Sequence, residues 1–189
     1  MEGSIGTADW SKVPAPTDDG AAKHLVGLMI APIALRCTDG RVVNLLEQRG
    51  RVVVYAYPRT GVPGVENPDG WDGVPGARGC TPQSCAFRTH FDELRSLGID
   101  AVYGLSTQET SYQREAAVRL HLPFAILSDE NLKLTRAMDL PTFTIGGMTL
   151  LKRFTLIIER GRIEKVFYPV FPPDANAGEV VRWLKLNPK

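Results

Sequence analysis

Two cysteines five residues apart, Cys80 and Cys85, bound the segment Cys80-Thr81-Pro82-Gln83-Ser84-Cys85, which follows a glycine-rich stretch and opens a helical pattern. Thr81-Pro82 reads as an N-cap followed by a first-turn proline, so the helix starts within a residue or two of Cys80. A thiol at that place faces the positive end of the helix dipole and unpaired backbone N–H groups, both of which favour the thiolate. Arg78, two residues before, adds a positive charge. The thiolate is the reactive form of cysteine, and Cys80 is therefore a candidate nucleophile.

The spacing constrains what Cys85 does. In a continuous helix, residues five apart differ by about 140° in azimuth and about 7.5 Å in rise, which separates their Cα atoms by roughly 8–9 Å. A disulfide needs roughly 7 Å or less. Either the first helical turn unwinds on oxidation or the two thiols do not pair, and the spacing leaves both open. The apolar stripe Phe87, Phe91 and Leu94, extended backwards, takes in Cys80 but not Cys85. Cys85 falls instead among Arg88 and Asp92. Cys37, in a strand before a turn, reads as a small packing residue. A zinc site is disfavoured, because the chain has only three cysteines and three scattered histidines (His24, His90, His121) and no C-x-x-C. A Cys–His hydrolase pair is disfavoured too, since His90 lies about three turns along the same helix from Cys80.

The elements that position the pair follow from periodicity. Leu35–Leu46 reads as two short strands around an Asp39-Gly40 turn. Arg51–Pro58 (RVVVYAYP) is a near-continuous apolar run, the pattern of a central strand buried on both faces. A long loop crowded with Gly and Pro then leads to Cys80, and loops of that length in compact domains carry function or are disordered. The helix after Cys80 runs to a stop at Gly98. Beyond it come a strand at 99–105, a helix at 109–121, a strand at 124–127, a helix at 131–138, a hairpin of 154–159 and 162–168 around Arg160-Gly161, and a closing helix at 177–186. Alternating strands and helices with a final antiparallel pair predict an α/β fold with a mixed central sheet flanked by helices. Residues 1–22, rich in Pro, Gly, Asp and Ala, read as a flexible extension, and 23–189 as one domain.

Composition narrows the partners. A formal net charge of +1 gives no electrostatic footprint for nucleic acid or an anionic membrane. The longest apolar stretch, Leu25–Leu35, is interrupted by Pro32 and is far short of the roughly 20 residues of a membrane span. The first twenty residues show no basic start followed by an apolar run, which argues against a secretory signal. Three cysteines do not make a disulfide framework, so a reducing cytoplasm is the expected compartment, where paired thiols serve catalysis or redox sensing.

At this point the residues match a known pattern. Tyr57-Pro58, Pro75-Gly76 and Gly79-Cys80-Thr81-Pro82-Gln83-Ser84-Cys85-Ala86-Phe87-Arg88 resemble the PrxQ, or bacterioferritin-comigratory-protein, subfamily of peroxiredoxins. The likeness extends from about residue 23 through Asp39-Gly40, Leu127-Ser128-Asp129 and Arg153–Ile158. It implies a thioredoxin-like fold and a peroxidase that works through its thiols, without a cofactor. Cys80 would attack hydrogen peroxide or an alkyl hydroperoxide to give a sulfenic acid, and Cys85 would condense with it to a disulfide. A thioredoxin- or glutaredoxin-type reductant would restore the dithiol, with the protein a monomer or homodimer. Arg153 aligns with the family's active-site arginine, whose guanidinium would stabilise the thiolate and orient the peroxide.

One departure stands out. The family carries a proline and then a Thr or Ser ahead of the peroxidatic cysteine; this sequence has Gly73 and Ala77 at those places. Pro58-Arg59-Thr60 occurs upstream instead, beyond an apparent insertion, which makes Thr60 the candidate hydroxyl and Thr81 a second one. The same residues also fit a redox sensor or binding protein without turnover, and a one-cysteine peroxidase in which Cys85 is idle.

Overall fold

In the computed structural model, which describes residues 9–189, a seven-stranded sheet is flanked by helices. In chain order the strands are β1 (Ala34–Cys37), β2 (Val42–Asn44), β3 (Arg51–Ala56), β4 (Ile99–Ser106), β5 (Ile126–Ser128), β6 (Thr142–Ile145), β7 (Met148–Leu151), β8 (Phe154–Glu159) and β9 (Arg162–Phe167). The helices are α1 (Cys80–Thr89), α2 (Phe91–Ser96), α3 (Thr110–Arg119), α4 (Lys133–Met138) and α5 (Asn176–Leu186). The sheet order is β2-β1-β5-β4-β3-β8-β9, with β6 and β7 forming a separate hairpin. Pairing of β3 with β4 and of β4 with β5 is parallel, whereas β8 runs antiparallel to both β3 and β9.

The strand β3 carries the core on both faces. Val52, Val54 and Ala56 pack in a cluster with Leu35, Leu127, Leu134 and Leu156. Val53, Tyr55 and, just past the strand, Tyr57 pack on the other face with Cys80, Phe87, Leu94 and Val180. This is the two-residue alternation of a strand with no solvent face, and all six β3 residues are buried. Helices α1, α2 and α5 thus cover one face while α4 covers the other.

Three local differences from the sequence reading have physical causes. The helix from Cys80 to Gly98 is broken at His90, whose φ of −91° and ψ of 6° end α1 and cap α2. The hairpin of β6 and β7 was not expected; it turns on Gly146-Gly147, with φ of 53° and 74°, and packs on the loop residue Trp71 through Leu150 while Leu151 joins the core of the main sheet. Thr81 is not the helix cap: Gly79 is, in the left-handed region at φ 103°, and its carbonyl accepts from Gln83 N–H at 3.0 Å.

Part of the expected extension, residues 1–8, lies outside the described residues. From Asp9 onward the segment contacts the domain: Trp10 meets Phe171 edge-on at 6.2 Å, and Asp19 pairs with Lys152. Among the described residues no helix is long and apolar enough to cross a membrane.

Candidate active site

The site forms where three elements meet. Strand β3 ends at Ala56, and Tyr57-Pro58 leads into a loop that passes through a short turn at Trp71–Gly73 and delivers the chain to α1. The antiparallel register pairs Ala56 with Phe154, so the start of β8 lies beside the end of β3. That register brings Arg153 to the same end of the sheet as Cys80. The loop is held by Trp71 and Ala77, both buried against Leu150 of β7 with Phe143 and Met148 alongside.

Cys80 is the first residue of α1 and only 4% exposed. The buried positions of α1 are Cys80, Gln83, Ser84 and Phe87, one stripe facing the sheet. Phe87 stacks on Tyr55 at 4.4 Å, and the Tyr55 hydroxyl donates to Ser84 at 3.1 Å, so the helix is pinned from Ser84 onward. The Cys80 thiol donates to the Ala77 carbonyl at 3.6 Å. Its mouth is a cavity of about 140 Å³ lined by Arg59, Asn67, Trp71, Arg78 and Thr81. A water-sized molecule takes about 30 Å³ of liquid volume, so the cavity has room for a small peroxide.

Arg153 is 3% exposed, and its two terminal nitrogens bond to this loop and to the first turn of α1. Its Nη2 lies 3.3 Å from Cys80 Sγ and also reaches the carbonyls of Gly76 at 3.1 Å, Ala77 at 3.4 Å and Arg78 at 3.1 Å. Its Nη1 donates to Gln83 Oε1. A buried cation is costly unless compensated, and none of these partners is a carboxylate. The Cys80 sulfur is the one bonded atom able to carry a full negative charge. The geometry thus sets the guanidinium directly against the Cys80 sulfur.

The arginine is itself held in place. Gln83 Nε2 donates to Asn176 Oδ1 at 3.0 Å, and Thr155 Oγ1 donates to the same oxygen at 2.7 Å. Gln83, Thr155 and Asn176 are fully buried, linking α1, β8 and α5 in one polar network. The sequence reading missed all three. Gln83 had one signal, a polar residue on the buried stripe three positions after Cys80; Thr155 and Asn176 had none.

The remaining candidates are placed differently. Thr60 is fully buried just past the end of β3, its N–H donating to Gln108 at 3.2 Å and its carbonyl accepting from Tyr112 at 2.8 Å. Its hydroxyl has no protein partner, while its neighbours Arg59 and Gly61 line the Cys80 cavity. Ala77, at the place where the family carries a hydroxyl, offers its carbonyl instead. Cys85 is half-buried on α1 and does not line the cavity. Cys37 is buried in β1, and burial together with the nearby Asp39 pushes its thiol up to about 11.

Comparison with known proteins bears on these placements. A family model described as Redoxin matches residues 11–181. Peroxiredoxin Q of the chloroplast from Oryza sativa subsp. japonica is 31% identical over 153 residues, covering 80% of this chain and 62% of its own. The chain therefore spans less than two thirds of that relative's length. The Sedum lineare chloroplast peroxiredoxin Q is 30% identical over 87% of this chain and 80% of its own. Peroxiredoxin Bcp of Escherichia coli (strain K12) is 32% identical over 82% and 93%. Among solved structures, peroxidoxin BcpB of Mycobacterium tuberculosis superposes with a TM-score of 0.69 at 23% identity, covering 87% of this chain and 98% of its own. The bacterioferritin comigratory protein of Xanthomonas campestris gives 0.66 at 20% identity, covering 83% and 92%. These structures show the thioredoxin-like fold. From the family match over most of its length and relatives 30–32% identical over 80–87% of it, the chain belongs to the redoxin family, in its peroxiredoxin Q/Bcp branch.

Proposed function

We propose that the chain is a thiol-dependent peroxidase for hydrogen peroxide and organic hydroperoxides. The observation that carries this is the 3.3 Å contact of Arg153 Nη2 with Cys80 Sγ at the base of a small cavity. The Cys80 thiolate attacks one peroxide oxygen, a sulfur–oxygen bond forms, and the O–O bond breaks. The electron pair leaves with the second oxygen, which takes a proton and departs as water or alcohol. Arg153 donates towards the charge as it moves from sulfur to the leaving oxygen, the task of a preorganised donor. The unpartnered Thr60 hydroxyl serves as a second donor to the bound peroxide.

The Cys80 sulfenic acid then condenses with the Cys85 thiol, forming the disulfide and releasing water. With α1 continuous from Cys80 to Thr89, the helical spacing of roughly 8–9 Å exceeds the reach of a disulfide, so the first turn unwinds at this step. A thioredoxin- or glutaredoxin-type dithiol reduces the disulfide by exchange. The cycle needs a steady supply of reduced thiol, which suits the cytoplasm. Peroxide consumption with a dithiol reductant tests the proposal. Wild type turns over and Cys80→Ser does not; equal rates in the two would overturn it.

A further inference from the structure

We infer that residues 10–19 form a clamp that keeps the first turn of α1 wound, so that its release sets how fast Cys85 resolves Cys80. The inference rests on the disulfide step proposed above. Four anchors define the clamp. Trp10 and Pro173 enclose Gly79, the residue before Cys80; a Cβ there would lie 2.9 Å from the Trp10 ring and 2.5 Å from Pro173. Trp10 Nε1 donates to Asp174 at 2.9 Å, tying the indole to the turn at Pro173–Ala175 that packs on α1. The Pro14 carbonyl accepts from Gly76 N–H at 3.4 Å. Asp19 pairs at 2.5 Å with Lys152, the residue before Arg153, and accepts from the Tyr168 hydroxyl at 2.6 Å.

The segment thus bridges the loop before Cys80 and the link between β7 and β8 that carries Arg153. Between its two ends lies a cavity of about 270 Å³ whose walls include Pro16, Val74, Phe143 and Tyr168. The clamp is held at discrete points over open space and is not part of a filled core, and its ionic anchor is partly exposed. Such a segment opens at low free-energy cost. From Ser84 onward Tyr55 and Phe87 hold the helix to the sheet, and Gln83 is tied to Arg153 and Asn176, so Cys80–Pro82 is the part that must unwind. Gly79 cannot swing out while Trp10 and Pro173 enclose it.

The consequence is a partition. The Cys80 sulfenic acid either loses water with Cys85, or meets a second peroxide that adds another oxygen, giving sulfinic acid and releasing water or alcohol. A tighter clamp lengthens the life of the sulfenic acid and favours the second route.

The test uses the full chain, reduced and mixed with hydrogen peroxide without reductant, quenched with a thiol-alkylating agent and weighed intact by mass spectrometry. Trp10→Ala should speed disulfide formation about tenfold and cut the sulfinic product in proportion, while the first oxidation stays within about twofold of wild type. Trp10→Phe, which keeps ring packing but not the Asp174 bond, should fall between. Asp19→Asn should give roughly threefold from the other end, and decides the matter if Trp10→Ala does not fold. Disulfide formation unchanged or slowed in folded variants would overturn the clamp. Absence of any Cys80–Cys85 disulfide in wild type would instead overturn the resolving step beneath it.

Discussion

Replacing Arg153 by lysine separates charge from geometry at the site. Lysine keeps one positive charge but presents a compact ammonium, not a planar fork. The native guanidinium reaches Gln83 with one nitrogen, and the Cys80 sulfur and three loop carbonyls with another. An ammonium with three donors cannot span that set, so either the carbonyls or the sulfur go unpaired. Loss of one preorganised donor to a developing anion costs about 2.7–4 kcal/mol, or 10²–10³ in rate. Loosening the Gly76–Arg78 carbonyls costs further stability of about 2–3 kcal/mol, set by the worth of hydrogen bonds to a charged group. In a chain of this length that lowers Tm by roughly 4–12 °C. Single-turnover peroxide consumption, with circular dichroism to show a native fold, reads both effects. Arg153→Met, which also removes the charge, should be slower than Arg153→Lys. A folded Arg153→Lys protein that consumes peroxide within about threefold of wild type would refute the reasoning, because charge alone would then suffice.

Thr60→Val should leave stability unchanged or raise it by about 1 kcal/mol, since the lost hydroxyl has no protein partner, while peroxide consumption falls about 10–100-fold. Full activity in Thr60→Val would remove Thr60 from the site. Gln83→Leu should destabilise by about 1–3 kcal/mol, stranding Arg153 Nη1 and leaving Asn176 Oδ1 with Thr155 alone, and should also slow Cys80 oxidation; denaturant midpoints and stopped-flow rates check the two separately. Alkylation near pH 8 should label Cys85 well before Cys37. With the Cys37 thiol pushed up to about 11, only on the order of one molecule in a thousand carries the thiolate there, and that fraction grows as pH rises towards 11. Peptide mapping that found Cys37 labelled first would contradict its burial.

How far the sequence could be read depended on how local the determining contacts are. The β3 run, the Asp39-Gly40 turn and the hairpin around Arg160-Gly161 announce themselves through apolar patterning and turn chemistry within a few residues. The β6–β7 hairpin did not, although Gly146-Gly147 sits between its strands. Those strands are only four residues long, and their partner Trp71 is about seventy residues away in a loop with no periodicity. At the site, Cys80 was legible because a helix start follows it at once. Arg153 was found only by its resemblance to the family pattern, because its approach to Cys80 comes from the pairing of β8 with β3. The same limit hid Asn176, Thr155 and the docking of Trp10 on Gly79, each a contact across a large sequence separation.

The most direct test of the central claim is peptide mapping by mass spectrometry after one equivalent of hydrogen peroxide is added to the reduced protein. The predicted product is a single disulfide linking Cys80 and Cys85, with Cys37 still free. A stable sulfenic or sulfinic acid at Cys80 would contradict the resolving role of Cys85, and an unmodified Cys80 would contradict its role as the peroxide nucleophile.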